Sequence, residues 1–204
     1  MPNSGNDRLG GRLELLDPDR LDGAQSVVYD ALTQAVVPES EKSGFVAKLG
    51  DGRFIGPFNA LLRVTGIAAG FGQWSGGIAS SRIAPDVRQV VILTVGASWS
   101  AEYEIYAHRS AALAIGLPVD AIDAIIAGEP PAGLSAEALL AHRFTAQLIV
   151  DHSVPDDLYA TVIDTFGEAG TVAIVCLIGE YLTVSSILVC FQVPAPTHSG
   201  IPDG

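Results

Sequence analysis

Residues 85–116, PDVRQVVILTVGASWSAEYEIYAHRSAALAIG, decide the fold because they predict two successive helices. Pro85 suits the first position of a helix, and the positive end of the helix dipole favours Asp86 in the following turn. Gly116 is typical of a residue that ends a helix. Apolar and polar residues do not alternate here with the period of a strand. The segment therefore predicts a helix pair.

The segments on either side also have helical patterns. One helix is expected over residues 19–36, and glycines within residues 59–81 favour close helix contacts or a broken helix. Four further helices are expected over residues 117–128, 135–153, 155–170 and 171–191. Ser135 is a favoured N-cap residue for the second of these. We therefore predict an all-α protein that forms a compact helical bundle.

A chain of 204 residues is long enough for one well-buried core and short for two domains. We expect a flexible N-terminal arm over residues 1–14, a single helical domain over residues 15–194 and a frayed tail over residues 195–204. Hydrophobic residues make up 49% of the chain and charged residues only 17%. This apolar excess predicts that part of the surface meets other subunits.

The chain is acidic, with a formal net charge of -12 from 11 basic and 23 acidic residues. Because no basic stripe is present to neutralise phosphates, nucleic-acid binding is disfavoured. An anionic substrate would need arginines placed locally to reverse the negative field. Beyond the first 60 residues, the arginines are Arg63, Arg82, Arg88, Arg109 and Arg143.

The two cysteines, Cys176 and Cys190, lie in one apolar stretch and form no Cys-x-x-Cys motif. Inside one helix they are too far apart to pair, which favours a reduced, cytoplasmic protein. Residues 171–191 are long enough to span a bilayer, but Glu180 would lie near its midplane and no Lys or Arg follows Arg143. We therefore expect no membrane span, but a helix buried in the core or between subunits.

Glu104 and His108 stand at positions i and i+4, so they project from one face of a predicted helix about one turn apart. A carboxylate so placed can hold the imidazole in one tautomer, or the two groups can share a proton. Apolar and aromatic neighbours, Trp99 and Tyr103 among them, favour a partly dry pocket in which the pKa values of the pair are shifted. The pair is therefore the candidate acid and base.

Two other interpretations of this pair stay open. A surface Glu-His pair contributes only a few tenths of a kcal/mol to helix stability. A metal site would need third and fourth ligands, and His142, His152 and His198 show no ligand spacing with the pair. We expect neither a metal nor a cofactor.

Three stretches of the chain resemble the carboxymuconolactone decarboxylase family, which shares its fold with the alkylhydroperoxidase D-like proteins. They are DGRFIGPFNALL (51–62), RQVVILTVGASWSAEYEIYAHRSAALAIGLPVDAI (88–122) and LIGEYLTVSSILVCFQVP (177–194). The likeness covers most of the chain from Leu15 to Pro194. It implies the all-helical bundle of that fold.

In the peroxidase branch of that fold, a Cys-x-x-Cys pair precedes the histidine, and a glutamate ahead of the pair relays protons. By spacing, the cysteine positions fall on Ala101 and Glu104 of this chain. The glutamate position falls on Gln89 and the histidine position on His108. Because no thiolate is present at these positions, cysteine-based hydroperoxide reduction is excluded there.

The decarboxylase branch carries Tyr-Glu-Trp-x-x-His, which Tyr103, Glu104 and His108 match. Ile105 replaces the tryptophan, and Gln89 stands where a glutamate is usual. The resemblance implies a cofactor-free lyase for a small carboxylated lactone or ring-cleavage product, as in the catabolism of aromatic compounds. Glu104 and His108 would transfer the proton.

Loss of CO₂ leaves a carbanion, so such a site needs a cation for a carboxylate and an acid for the carbon. The candidate substrate-binding residues are Arg88, Gln89, Arg82, Arg109, Trp99 and Tyr103. The same pair would also serve isomerisation, elimination or lactone hydrolysis, and a non-catalytic helical assembly protein is the remaining alternative. The resemblance further implies a homo-oligomer, with a trimer favoured over a dimer or a hexamer.

Overall fold

The computed structural model describes residues 6–196, so His198 and most of the expected tail, residues 195–204, lie outside the described part. Two short 3-10 helices, Asn6–Gly10 and Pro18–Arg20, come first. The α-helices are α1 (Gly23–Ala35), α2 (Val37–Ser43), α3 (Pro57–Leu61), α4 (Thr65–Ala79), α5 (Pro85–Trp99), α6 (Glu102–Ala114), α7 (Val119–Ala127), α8 (Ala136–Asp151) and α9 (Asp156–Cys190). Within residues 6–196 the only β pairing is an isolated bridge between Lys48 and Phe54. The all-α prediction is confirmed.

The helix boundaries follow the capping signals of the sequence. Pro85 is the first residue of α5, and the Ser135 side chain accepts a hydrogen bond from the Ala138 amide at the start of α8. Gly128 ends α7 with a φ of 72°, in the left-handed region where glycine is favoured. Each signal lies within a few residues of the helix end that it marks, which is why these boundaries could be predicted.

Helix α5 lies at the centre of the bundle and packs against α6, α7, α8 and α9. Residues 90–96 of its VVILTVG run are buried without interruption. The core around α5 includes Ile122 of α7, Phe144 of α8 and Leu177 of α9. A helix that is apolar on all sides has to be covered by neighbours, and this requirement places α5 in the middle.

Helix α9 is bent at Gly167, whose φ of 70° and ψ of 170° are not helical. The two helices predicted over residues 155–170 and 171–191 therefore meet close to the observed bend. Among residues 6–196, α9 alone is long and apolar enough to cross a membrane, and 39% of its most apolar window is buried inside the chain.

The glycines of α4 differ from the expectation of close helix contacts. The predicted apolar stretch 59–81 is broken, since α3 ends at Leu61 and α4 begins at Thr65. A Cβ atom added at Gly66, Gly70, Gly72, Gly76 or Gly77 would meet nothing within 4 Å. Within a single chain, these glycines therefore leave α4 thin and exposed and are not packing contacts.

The segment before α1 lies against the end of α9. The Arg12 amide donates a hydrogen bond to the Phe191 carbonyl oxygen, 2.7 Å away. Leu9 and Leu15 are buried in a second apolar cluster that includes residues of α6 and α9. Within the predicted arm, Leu9 therefore packs onto the helices, and Leu15 does the same at the start of the predicted domain.

Candidate active site

The turn between α5 and α6 brings the predicted pair against the central helix. Ser100 ends α5 with a φ of 52°, and the chain then runs back along α5 as α6. The Glu104 side chain packs directly against the backbone of α5 at Gly96, where an added Cβ would lie 2.9 Å from Glu104 Oε1. Only glycine leaves this much room for a carboxyl group between two helices.

The Glu104 carboxyl group is buried, and only one of its two oxygens has a hydrogen-bond partner. The residue has 2% of its surface exposed, and Ser185 Oγ of α9 donates a hydrogen bond to Oε2 at 2.8 Å. Oε1 has no hydrogen-bond partner among the described residues. Burial raises the pKa of Glu104 to about 8, against a smaller opposing effect of the Ser185 hydrogen bond. Glu104 is therefore predominantly protonated at neutral pH, with Oε1 as the oxygen free to carry the proton.

The His108 imidazole is held by α5 and α9. Its Nδ1 lies 2.9 Å from Gln89 Oε1, and its ring meets the ring of Tyr181 edge-on with 5.0 Å between the centroids. With an amide oxygen as acceptor, Nδ1 carries the hydrogen and Nε2 keeps the lone pair. Burial, reinforced by the positive charge of Arg88, lowers the pKa of His108 to about 3. The imidazole is therefore a neutral base at pH 7.

The two members of the predicted pair do not hydrogen-bond to each other. Glu104 is hydrogen-bonded to Ser185, and Gln89 orients His108, a role that the i, i+4 spacing had suggested for Glu104. The reason is that α9 supplies the Ser185 hydroxyl group to Glu104. The spacing of residues along α6 cannot reveal a partner on another helix. An acid and a base thus stand one turn apart, each held in place by a different helix.

A second buried acid, Glu180 of α9, is influenced by the same arginine, Arg88, as His108. Ser75 Oγ of α4 donates a hydrogen bond to Glu180 Oε1 at 2.5 Å. Burial raises the pKa of Glu180, while the Ser75 hydrogen bond and the nearby charge of Arg88 lower it. Sequence reasoning noted Glu180 only as an obstacle to a membrane span, although a lone acid in an apolar helix is also a signal for a functional site.

The positive charge of Arg88 on α5 acts on the base of this site. Its Nη2 donates a hydrogen bond to the Ile78 carbonyl oxygen of α4 at 2.8 Å. Its charge acts on the pKa values of His108, Glu180 and Tyr181. Of the arginines suggested by the sequence, Arg88 is therefore the one whose charge acts on the base, His108.

Four further predicted substrate-binding residues make no hydrogen bond to Glu104, His108 or Arg88 within residues 6–196: Arg109, Tyr103, Trp99 and Arg82. Arg109 donates two hydrogen bonds to Asp123 of α7 near the surface, the shorter one 2.9 Å long. Tyr103 is buried, and its hydroxyl donates to the Val46 carbonyl oxygen at 2.7 Å, so it is a packing residue. Trp99 and Arg82 are exposed. Local spacing could not separate these residues from Arg88 because all of them lie in or near the same helix pair.

Solvent reaches part of the site although Glu104 is enclosed. Within residues 6–196, two side-chain atoms are both fully buried and without a hydrogen-bond partner: Glu104 Oε1 and Thr145 Oγ1. His108 Nε2 and the Tyr181 hydroxyl also lack a partner there, but they are not fully buried. Two cavities lie elsewhere, one at the bend of α9 and one between α5, α7 and α8. Neither Glu104 nor His108 lines them. Within residues 6–196, no group of three His, Cys, Asp or Glu side chains is placed to hold a metal ion.

Replacing Gly96 by Ala is expected to destabilise the fold by about 1–3 kcal/mol, because the new methyl group overlaps the Glu104 carboxyl group. Urea unfolding would measure the change. Gly179→Ala in α9 is the matched control, since a Cβ there meets nothing within 4 Å and the helix gains up to about 1 kcal/mol. Equal stability changes for the two variants would contradict the close contact at Gly96.

Comparison with known proteins gives a fold and no family. No family model matches the sequence, and no curated protein matches it in sequence. The structure is similar to that of an uncharacterized peroxidase-related protein from Silicibacter sp. TM1040, with a TM-score of 0.67, 12% sequence identity, and 92% of this chain and 93% of that chain covered. At this identity the likeness concerns the fold alone. The predicted architecture is thereby confirmed: the chain has an all-α fold of the alkylhydroperoxidase D-like type.

Proposed function

We propose that the protein is a cofactor-free lyase that transfers a proton to and from a small carboxylated lactone or ring-cleavage product. The observation that carries this proposal is the buried Glu104 carboxyl group, protonated at neutral pH and with Oε1 unpartnered, one turn from a neutral His108. A buried donor without an acceptor costs stability, and such costs are concentrated at functional sites.

The chemistry follows from the charge states of the two groups. The breaking C–C bond releases CO₂ and leaves its electron pair on the substrate carbon, and Glu104 Oε1 gives that carbon a proton. Water then returns a proton to the carboxylate. His108 Nε2 accepts a hydrogen bond or a proton from the substrate, and Arg88 attracts a remaining carboxylate. Isomerisation would use the same donor and acceptor without loss of CO₂.

Loss of ultraviolet absorbance by carboxylated lactones, measured with the purified protein and single variants, tests this proposal. Glu104→Gln and His108→Ala are each expected to lower kcat by about 10²–10⁴-fold, the usual contribution of a positioned acid or base. Glu102→Gln is the matched control, because Glu102 is exposed on the same helix. The proposal is wrong if both site variants match the parent on every substrate that the parent converts.

The pH profile gives a second readout for the same site. Because the acid form of Glu104 is the donor, kcat is expected to fall as the pH rises through about 8. An activity that rises through this range would require the ionised carboxylate and would contradict a role for Glu104 as the acid.

We also propose that the protein self-associates, with a trimer favoured. Apolar side chains on α4 and α9 support this, since Ile67, Trp74 and Val172 are each more than half exposed in the single chain. Such exposure is typical of surfaces that meet other subunits. Size-exclusion chromatography with light scattering is expected to give a multiple of 21.2 kDa, and a monomer at all concentrations would refute self-association.

A further inference from the structure

A cavity of about 590 Å³ lies between α5, the end of α7 and α8. Thr94 and Ser98 line it from α5, one helical turn apart. Glu104 packs against Gly96 of the same helix. Gly96 is two positions from Thr94 and two from Ser98, which is a rotation of about 200° around the helix axis. The cavity is therefore on the side of α5 opposite to Glu104, and its chemistry is separate from that of the proposed active site.

His142 of α8 presents a defined hydrogen-bond acceptor in this cavity. The Thr94 hydroxyl lies 2.7 Å from the Val90 carbonyl oxygen, and a carbonyl cannot donate, so the hydroxyl hydrogen is used there. His142 Nδ1 lies 2.9 Å from the same hydroxyl oxygen and must therefore donate to it. The hydrogen of the neutral imidazole is thus on Nδ1, and the lone pair is on Nε2.

The lone pair on Nε2 is unused and reachable. Within residues 6–196, Nε2 of His142 has no hydrogen-bond partner, and it is not fully buried. Burial lowers the pKa of His142, so the imidazole is neutral at pH 7 and keeps its acceptor. Geometry alone, through the Thr94 hydrogen bond, determines which nitrogen faces a ligand.

The rest of the lining limits the kind of ligand. Most of the wall is apolar and includes Ile125, Leu139 and Ile149. Its two charged side chains, Glu129 and Arg143, have opposite signs, so the cavity carries no net charge, and the net charge of -12 on the chain repels anions. A ligand that matches this surface is apolar and uncharged, with one hydrogen-bond donor.

We propose that this cavity binds a neutral aromatic alcohol of the phenol class, with its hydroxyl donating a hydrogen bond to His142 Nε2. The apolar wall covers the ring, and the volume is ample for one ring. The inference is independent of the proposed lyase activity, because it uses neither Glu104 nor His108.

Titration of the full chain, labelled with ¹⁵N-histidine, with phenol and with toluene tests the site. The two probes have nearly the same shape, and only phenol carries a donor. Phenol is expected to shift the Nε2 resonance of His142, and toluene is expected to leave it nearly unchanged. His142→Phe retains a ring but removes the acceptor, so it should weaken phenol binding about tenfold and leave toluene binding unchanged.

Toluene binding to His142→Phe shows that the cavity still forms in the variant, which separates loss of the acceptor from misfolding. His108→Ala is the second control and should bind phenol as the parent does, whatever its effect on activity. An unmoved Nε2 resonance at saturating phenol, an unchanged phenol affinity in His142→Phe, or loss of phenol binding in His108→Ala would each overturn the proposal. Failure of the lyase assay would leave these results unaffected.

Discussion

Glu104→Gln is expected to stabilise the fold at alkaline pH and to flatten the dependence of stability on pH. Below pH 4.5 the carboxyl group is protonated in the folded and the unfolded chain, so its raised pKa has no effect. From pH 4.5 to about 8 only the unfolded chain releases the proton, which progressively destabilises the fold. Above this range the full cost is on the order of 5 kcal/mol, and the uncharged amide avoids it.

Urea unfolding at a series of pH values between 4 and 9 would measure this difference as a change in the free energy of unfolding. The amide that Glu104→Gln introduces accepts the Ser185 hydrogen bond as the carboxyl does, but its NH₂ group stays unpartnered, which removes about 1–3 kcal/mol of the gain. The difference between variant and parent should still grow by several kcal/mol from pH 4.5 to pH 8. Glu102→Gln, on the exposed face of α6, is expected to show no such growth. A constant difference for Glu104→Gln would mean that the carboxyl group is not buried.

Gly56→Ala is expected to destabilise the fold by more than about 3 kcal/mol. Gly56 has φ 65° and ψ -149°, a conformation open essentially to glycine alone. An added Cβ would also lie 2.3 Å from Cε1 of Tyr103. The Tyr103 ring cannot move aside, because it is buried and its hydroxyl is bonded to the Val46 carbonyl oxygen. Backbone strain and overlap therefore act together.

The midpoint of urea unfolding, compared with that of Gly50→Ala, would show this effect. Gly50 lies in the same loop, and a Cβ there meets nothing within 4 Å. The control is expected to stay within about 0.5 kcal/mol of the parent. Similar midpoints for the two variants would mean that the loop does not pack against Tyr103 as described. Since Tyr103 precedes Glu104 on α6, loss of this packing would also disturb the site.

The acid and the base destabilise the fold at opposite ends of the pH scale. The raised pKa of Glu104 costs stability above pH 4.5, and the lowered pKa of His108 costs stability as the pH falls below 6.5. Both costs come from burying a titratable group against α5 without an opposite charge beside it. Such an arrangement is costly for a purely structural pair, which supports a role in proton transfer.

The sequence predicted part of the arrangement at the candidate site, whose role in catalysis stays a proposal. The i, i+4 spacing identified Glu104 and His108, and the resemblance drew attention to Gln89, which lies 2.9 Å from the imidazole. Ser185 was missed because it lies 81 positions from Glu104 in the chain. Arg109 was included as one of the few arginines beyond the first 60 residues, but its side chain is hydrogen-bonded to Asp123 of α7.

What the sequence determined by itself is the course of the longer helices and their order, whereas the short helix α2 was not predicted. The signals that predict a helix act over a few residues: the period of apolar residues, proline at its start and glycine at its end. The helices within residues 85–116 could therefore be predicted without knowing which other helices pack against them. The tertiary structure decided which side chains meet. It placed Ser185 on the Glu104 carboxyl group and separated that acid from His108, and it opened a second cavity at His142 on the other side of α5. The physical reason is that burial and long-range hydrogen bonds, which set the pKa values, depend on how the helices pack, and no local pattern in the chain encodes them.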